Sequence, residues 1–343
     1  MKRILGLDSI RFICALIVVL GHFGLPWPKF LSADGAGVFS LVGKVSGLMI
    51  CGPAAVIAFF VISGFCIHYP FQNANKIDLL PFYTRRLLRI GIPAAIAFLW
   101  FKFLKMDLEP PSYGIFWSII CEIIYYLLYP LLFLLRRYVN WSTMFLVSFV
   151  VALIFMIANI HMITGGYYPE FGFMTWLIGL PCWISGCWLS ENYTKFSILK
   201  SYQIWILRIF MIIVCMILVT LKFHSTNVLT SYPFTLTLFA PIACCWLGFE
   251  IRYFQIHQPS PQLESAGKWS YSLYIFHAMA FAVWKHFDLF VRIPNNALLI
   301  IASLLISYAF YLLIEKPSHK LSVYVSRLFL AKVDPIMQQT KEQ

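Results

Sequence analysis

The sequence predicts an all-α, polytopic membrane protein: a bundle of about ten transmembrane helices with the N- and C-termini both cytoplasmic. Three observations carry that expectation. Of the 343 residues, 61 % are hydrophobic and only 12 % are charged, about half the charged share of a soluble domain. Apolar runs of roughly 17 to 25 residues, the length of a helix that crosses a bilayer, recur along the whole chain. The basic residues are also unevenly placed. With the N-terminus inside, 17 of the 26 Lys and Arg fall in inner segments and seven near outer span ends, which is the bias of cytoplasmic loops. Topology therefore accounts for the net charge of +12, and no nucleic-acid partner is called for.

The spans follow in order. The first, about 7–26, holds LDSIRFICALIVVLGH at 7–22 and carries Asp8, Arg11 and His22. Its basic start resembles a signal peptide, but Asp8 and Arg11 interrupt the apolar core and no small-residue cleavage site follows, so an uncleaved span is expected. The second, about 48–70, ends in FFVISGFCIHYP, and the third, about 87–104, is entered through FYTRRLLRIGIP. The fourth, about 114–135, contains WSIICEIIYYLLYP, and the fifth covers about 143–160. The sixth, about 172–190, is broken by Gly179 and Pro181; the seventh, about 203–222, includes Arg208. The eighth, about 232–249, includes Pro233 and Pro241, residues that membrane helices tolerate when neighbours satisfy the freed backbone groups. The ninth, about 271–291, opens with YSLYIFHAM, and the tenth covers about 297–314.

Connections this short leave no room for a soluble domain. The expected organisation is one membrane domain over 1–315 and a short cytoplasmic tail over 316–343, of which 318–330 suits an amphipathic helix on the membrane surface. The nine cysteines lie nearly all within spans and show neither C-x-x-C nor a Cys/His spacing for zinc, so they are read as small hydrophobes, and no metal site is expected.

Ionisable groups within lipid are costly and point to function. Arg11 and His22 are eleven residues apart, close to three helical turns, which puts them on one face about 16 Å apart along the axis. Asp8 is within i,i+3 reach of Arg11. Ser63 and Gly64 fall in the inner half of the second span, where small residues also serve ordinary close packing. Arg86 and Arg89 share a face at the cytoplasmic start of the third span. Two guanidinium forks there suit a phosphate-bearing cytosolic ligand, and they suit a topology anchor equally. Counting from span ends places Glu122 about 12 Å from the outer surface, in the outer half with His22. The same count puts His277 in the inner half beside Tyr271 and Tyr274. A cation-rich inner vestibule and an outer His/carboxylate site imply an anionic donor from the cytosol and an acceptor from outside.

These runs, in this order and with the EKP that follows the last span, resemble the membrane acyltransferase 3 family over almost the whole chain. The resemblance implies a ten-span enzyme that moves an acyl group, usually acetyl, from cytosolic acyl-coenzyme A to a hydroxyl of an extracytoplasmic or lipid-linked glycan. It implies essential roles for Arg11 and His22, coenzyme A binding by Arg86 and Arg89, and contributions from Ser63, Glu122 and His277. Met279 departs from the family's pattern, where Pro often stands, and this touches helix geometry more than chemistry. No esterase-like domain follows, so the chain is expected to act alone or with a separate partner.

On chemical need, His22 is the general base for the sugar hydroxyl, and Glu122 its support if the two helices touch. Arg11 stabilises donor charge or the oxyanion. The expected partners are acetyl-CoA or another acyl-CoA as co-substrate, the glycan acceptor, membrane lipids and, left open, further copies of the chain. The expected location is the cell membrane, a bacterial inner membrane. A glycolipid or polysaccharide transporter or flippase without acyl-transfer chemistry is the alternative, and acylation of a small secondary metabolite keeps the chemistry with another acceptor.

Overall fold

The computed structural model describes residues 4–26, 38–104, 115–287 and 296–339. Among them every regular element is a helix, and there is no strand. The helices are α1 (Leu7–Phe23), α2 (Val38–Leu48), α3 (Gly52–His68), α4 (Leu79–Phe103), α5 (Phe116–Leu135), α6 (Trp141–Ala158) and α7 (Thr175–Asn192). After these come α8 (Ser201–His224), α9 (Tyr232–Tyr253), α10 (Pro261–Gly267), α11 (Ser270–Phe276), α12 (Met279–Phe287), α13 (Asn296–Phe310) and α14 (Lys316–Gln339). Seven helical stretches among the described residues are long and apolar enough to cross a bilayer. The other three expected spans are less regular: α1 has 17 residues, α4 carries Arg85, Arg86 and Arg89 in its first half, and the ninth run is split between α11 and α12.

Local sequence explains several boundaries. Pro53, Pro233 and Pro261 stand in the first turns of α3, α9 and α10, where the missing N–H has no helical partner to lose. Asn140 caps α6, its side chain accepting the Thr143 N–H at 2.8 Å. The expected break at Gly179 and Pro181 does not occur, since α7 runs through both. The break comes instead at His277 and Ala278, between α11 and α12. After the last expected span the helix does not stop. It passes through a π-helical turn at Tyr311–Glu315 into α14, which packs along α4 with the Ser318 hydroxyl donating to the Leu88 carbonyl at 2.7 Å.

The centre of the bundle is α3, packed against α1, α7 and α9. Of the apolar window of α9, 67 % is buried by protein, against 22 % for α6 and α8, so the latter two present most of their surface to lipid. The α3–α7 crossing depends on glycine. A Cβ on Gly64 would stand 1.9 Å from the Trp183 carbonyl oxygen, and one on Gly186 would stand 1.9 Å from that of Val61. Backbones this close are the small-residue packing that replaces the hydrophobic effect inside a membrane.

At the start of α1, Gly6 takes a left-handed conformation (φ 85°) and offers no side-chain cap. Glu264 of α10 supplies one, accepting the N–H groups of Gly6 and Ser9 at 3.0 and 3.1 Å and the Ser9 hydroxyl at 2.9 Å. A carboxylate here satisfies orphan donors and complements the helix dipole. The short helix α10 thereby fixes the end of α1 that carries Asp8 and Arg11.

Candidate functional site

Five of the residues singled out from the sequence line one cavity: Arg11 of α1, Ser63 of α3, Arg86 and Arg89 of α4, and Glu122 of α5. The i,i+3 spacing of Arg86 and Arg89 lets both guanidiniums face it from one side of α4. Tyr271 and Tyr274 of α11 close another wall. The Tyr271 hydroxyl is anchored on the Ile90 carbonyl at 3.0 Å, and that of Tyr274 lies 2.5 Å from the Ser118 hydroxyl. Apolar side chains of α3 and α5, among them Phe60, Ile67 and Ile119, complete the lining.

The charge in this cavity is unbalanced. Arg11 pairs with Asp8 at 3.9 Å. Among the described residues neither Arg86 nor Arg89 takes part in an ion pair. Three guanidiniums therefore face one cavity carboxylate, Glu122, in a low-dielectric setting where unpaired charge is strongly felt. Such a space is built to take an anion.

Glu122 accepts the Ser63 hydroxyl at 2.7 Å and the Tyr126 hydroxyl in a short hydrogen bond; the Trp183 N–H donates to Ser63 Oγ at 3.2 Å. The Gly64–Gly186 approach brings Trp183 close enough to do this. Glu122 thus lies level with Ser63, so the expectation that put Glu122 in the outer half with His22 and Ser63 in the inner half does not hold. Counting along α5 from its end could not show that the carboxylate meets Ser63.

His22 stands beyond the cavity, and its neighbour is not Glu122. The His22 ring lies 5.0 Å, centroid to centroid, from that of His277, which the Phe23 ring also meets at 6.0 Å. His277 is therefore level with His22, a second correction to the expected depths. Helices α1 and α11 lie against each other and run from the cavity to this pair. Arg11 and His22 mark the two places on α1; Tyr274 of α11 and His277 just after that helix mark them opposite. His22 is exposed, whereas His277 is fully buried.

Other buried ionisable groups were not singled out from the sequence. Glu315, at the π-helical turn, accepts the Ser272 N–H at 3.1 Å and the Ser272 hydroxyl at 2.5 Å, joining α11 to the α13–α14 helix. His68 accepts the Tyr129 hydroxyl at Nδ1 (2.9 Å) and donates from Nε2 to Glu191 (2.6 Å). Arg136 and Trp141 also donate to Glu191, at 2.5 and 3.1 Å. Arg208 and Glu250 form a two-fold pair, both bonds 2.8 Å. The signal for each was the one that found Glu122: an ionisable residue in or beside an apolar run.

Among the described residues no group of His, Cys, Asp and Glu has the arrangement of a metal site. All nine cysteines are free thiols.

The family model described as an acyltransferase domain, that of the acyltransferase 3 family, matches residues 4–312. Searches of the curated proteins and of the solved structures found no match.

Proposed function

Since the chain belongs to the acyltransferase 3 family and is a multi-pass membrane acyltransferase, we propose that it moves an acetyl group from cytosolic acetyl-CoA to a hydroxyl of an extracytoplasmic or lipid-linked glycan. The observation that carries this reading is the cavity in which Arg11, Arg86 and Arg89 converge with, among the described residues, only Glu122 as a carboxylate in its wall. Coenzyme A brings several phosphate charges and a slender pantetheine arm. Arg86 and Arg89 bind the phosphates as fork-shaped donors, while the arm passes between the aromatic and aliphatic walls towards His22.

In this reading the glycan hydroxyl, a weak nucleophile, gives its proton to His22 as it attacks the thioester carbon. Arg11, about 16 Å from His22 along α1, lies with Arg86 and Arg89 in the cavity and offsets the negative charge of the bound donor. Ser63 and Glu122 organise the donor end: the carboxylate holds the Ser63 and Tyr126 hydroxyls and offsets part of the arginine charge while the cavity is empty of donor. Ten spans with both termini cytoplasmic, and a bacterial inner membrane, belong to the same proposal. They put the arginine cavity towards the cytosol and His22 towards the outside.

The test uses purified protein in lipid nanodiscs with acetyl-CoA and glycolipid extracted from the native membrane. The expected result is an acceptor heavier by one acetyl unit and an equal yield of free coenzyme A. A glycolipid that changes sides in proteoliposomes but gains no mass would overturn the reading in favour of transport.

A further inference from the structure

The break between α11 and α12 gives His277 an unusual setting. Its Nδ1 lies 2.8 Å from the Tyr274 carbonyl oxygen and 3.2 Å from that of Leu273. Both neighbours only accept hydrogen bonds, so Nδ1 carries the proton and donates. In the neutral ring Nε2 is then a bare lone pair. It is buried and has no hydrogen-bond partner among the described residues, a state that native proteins rarely leave unanswered. The backbone holds the ring in place, with the Ser303 hydroxyl donating to the His277 carbonyl at 2.8 Å.

Among the described residues two rings stand beside that of His277, His22 at 5.0 Å between centroids and tilted by 42°, and Phe23 at 6.0 Å; of the two only His22 can donate a hydrogen bond. Two imidazoles joined by an N–H···N bond stand about as far apart as His22 and His277. The χ2 torsion of histidine is soft, so a turn of the exposed His22 ring brings one N–H into line.

We propose that His277 is a positioning residue for His22: its Nε2 accepts the N–H of the His22 ring and so keeps the other His22 nitrogen bare for the acceptor hydroxyl. This rests on the reading of His22 as the base. The hydroxyl proton passes to the bare nitrogen while the new C–O bond forms and the thioester C–S bond breaks. The thiolate leaves with its electron pair and takes that proton back from His22. The N–H shared with His277 stays on His22 throughout, so His277 needs no charge in its buried place. The arrangement is a base oriented by a third group, with a neutral imidazole in the orienting place.

The test compares wild type with His277→Leu, His277→Gln and His22→Ala in nanodiscs, using acetyl-CoA and the native glycolipid extract, beside ¹⁵N NMR of histidine-labelled protein. The expected result is a fall in kcat of about 10-fold or more for His277→Leu with an unchanged KM for acetyl-CoA. His277→Gln, whose amide oxygen reaches near the Nε2 place, restores most of the rate. The spectrum shows one His22 tautomer in wild type and a mixture in His277→Leu. Wild-type kcat in His277→Leu while His22→Ala is inactive overturns the positioning role and leaves the base in place. Full activity of His22→Ala overturns the base and the positioning role with it. If His277→Leu does not fold, the glutamine variant decides: activity near wild type supports the proposal, and loss of activity in folded protein overturns it.

Discussion

Arg86 and Arg89 face the cavity with no ion-pair partner among the described residues, so in the proposed reading replacing either removes a donor to the ligand and breaks no ion pair among those residues. Each change to Ala is expected to weaken acetyl-CoA binding by about 10-fold or more, the worth of a charge-assisted hydrogen bond, with little loss of thermal stability. Isothermal titration in nanodiscs measures this, and unchanged affinity would return both residues to topology anchors. His22→Ala is expected to lower the transfer rate by roughly 10²- to 10⁴-fold at unchanged acetyl-CoA affinity, read by coenzyme A release. Cys66 lines the same cavity and is half-buried. Its alkylation by a small maleimide, followed by peptide mass spectrometry, is expected to slow with saturating acetyl-CoA, while that of the exposed Cys245 does not. Equal protection of both would place the ligand elsewhere. At this scale the sequence was informative because charge in lipid is rare: Arg11, Ser63, Arg86, Arg89 and Glu122 come from four helices and meet in one cavity. Depth was less legible. Counting 1.5 Å per residue assumes an unbroken helix with known ends, and it could not foresee that Ser63 engages Glu122 or that His277 stands beside His22.

Among the elements, α3 and α7 depend on contact between backbones. Gly64→Val places side-chain atoms where the Trp183 carbonyl stands. It is expected to cost about 3 kcal/mol and to lower the unfolding temperature in detergent markedly. A stable variant would mean that the two helices can part without consequence. Glu264→Ala removes the acceptor that α10 offers to the start of α1 and is expected to cost about 1–2 kcal/mol, with activity falling as Arg11 loses its fixed support. The apolar runs gave the helices well where length and composition agree, as in α5, α6, α8 and α9. They gave the interruptions poorly. Pro181 lies inside an intact α7, while His277 and Ala278, neither a strong helix breaker, mark the real break. There the cost of leaving the helix is offset by side chains, the His277 ring on two carbonyls and Ser303 on a third, and these partners come from tertiary structure. The π-helical turn has the same origin, with Glu315 held by Ser272 of another helix.

For the molecule as a whole, composition and basic-residue bias were enough to place it in a membrane, because the bilayer constrains length, polarity and backbone pairing together. The route of the acyl group depends on how separate helices meet. The arginine cavity lies at one end of the α1–α11 contact and the His22–His277 pair beyond it; in the proposed mechanism donor and acceptor arrive from opposite sides and the acyl group moves between them. Oriented proteoliposomes test this most directly. Radiolabelled acetyl-CoA is supplied only on the side to which the arginine cavity opens, and the glycolipid headgroups are assayed on each face. The account predicts label on headgroups of the opposite face, lost in His22→Ala and weakened in the Arg86 and Arg89 variants. Label confined to the face that received acetyl-CoA would contradict it.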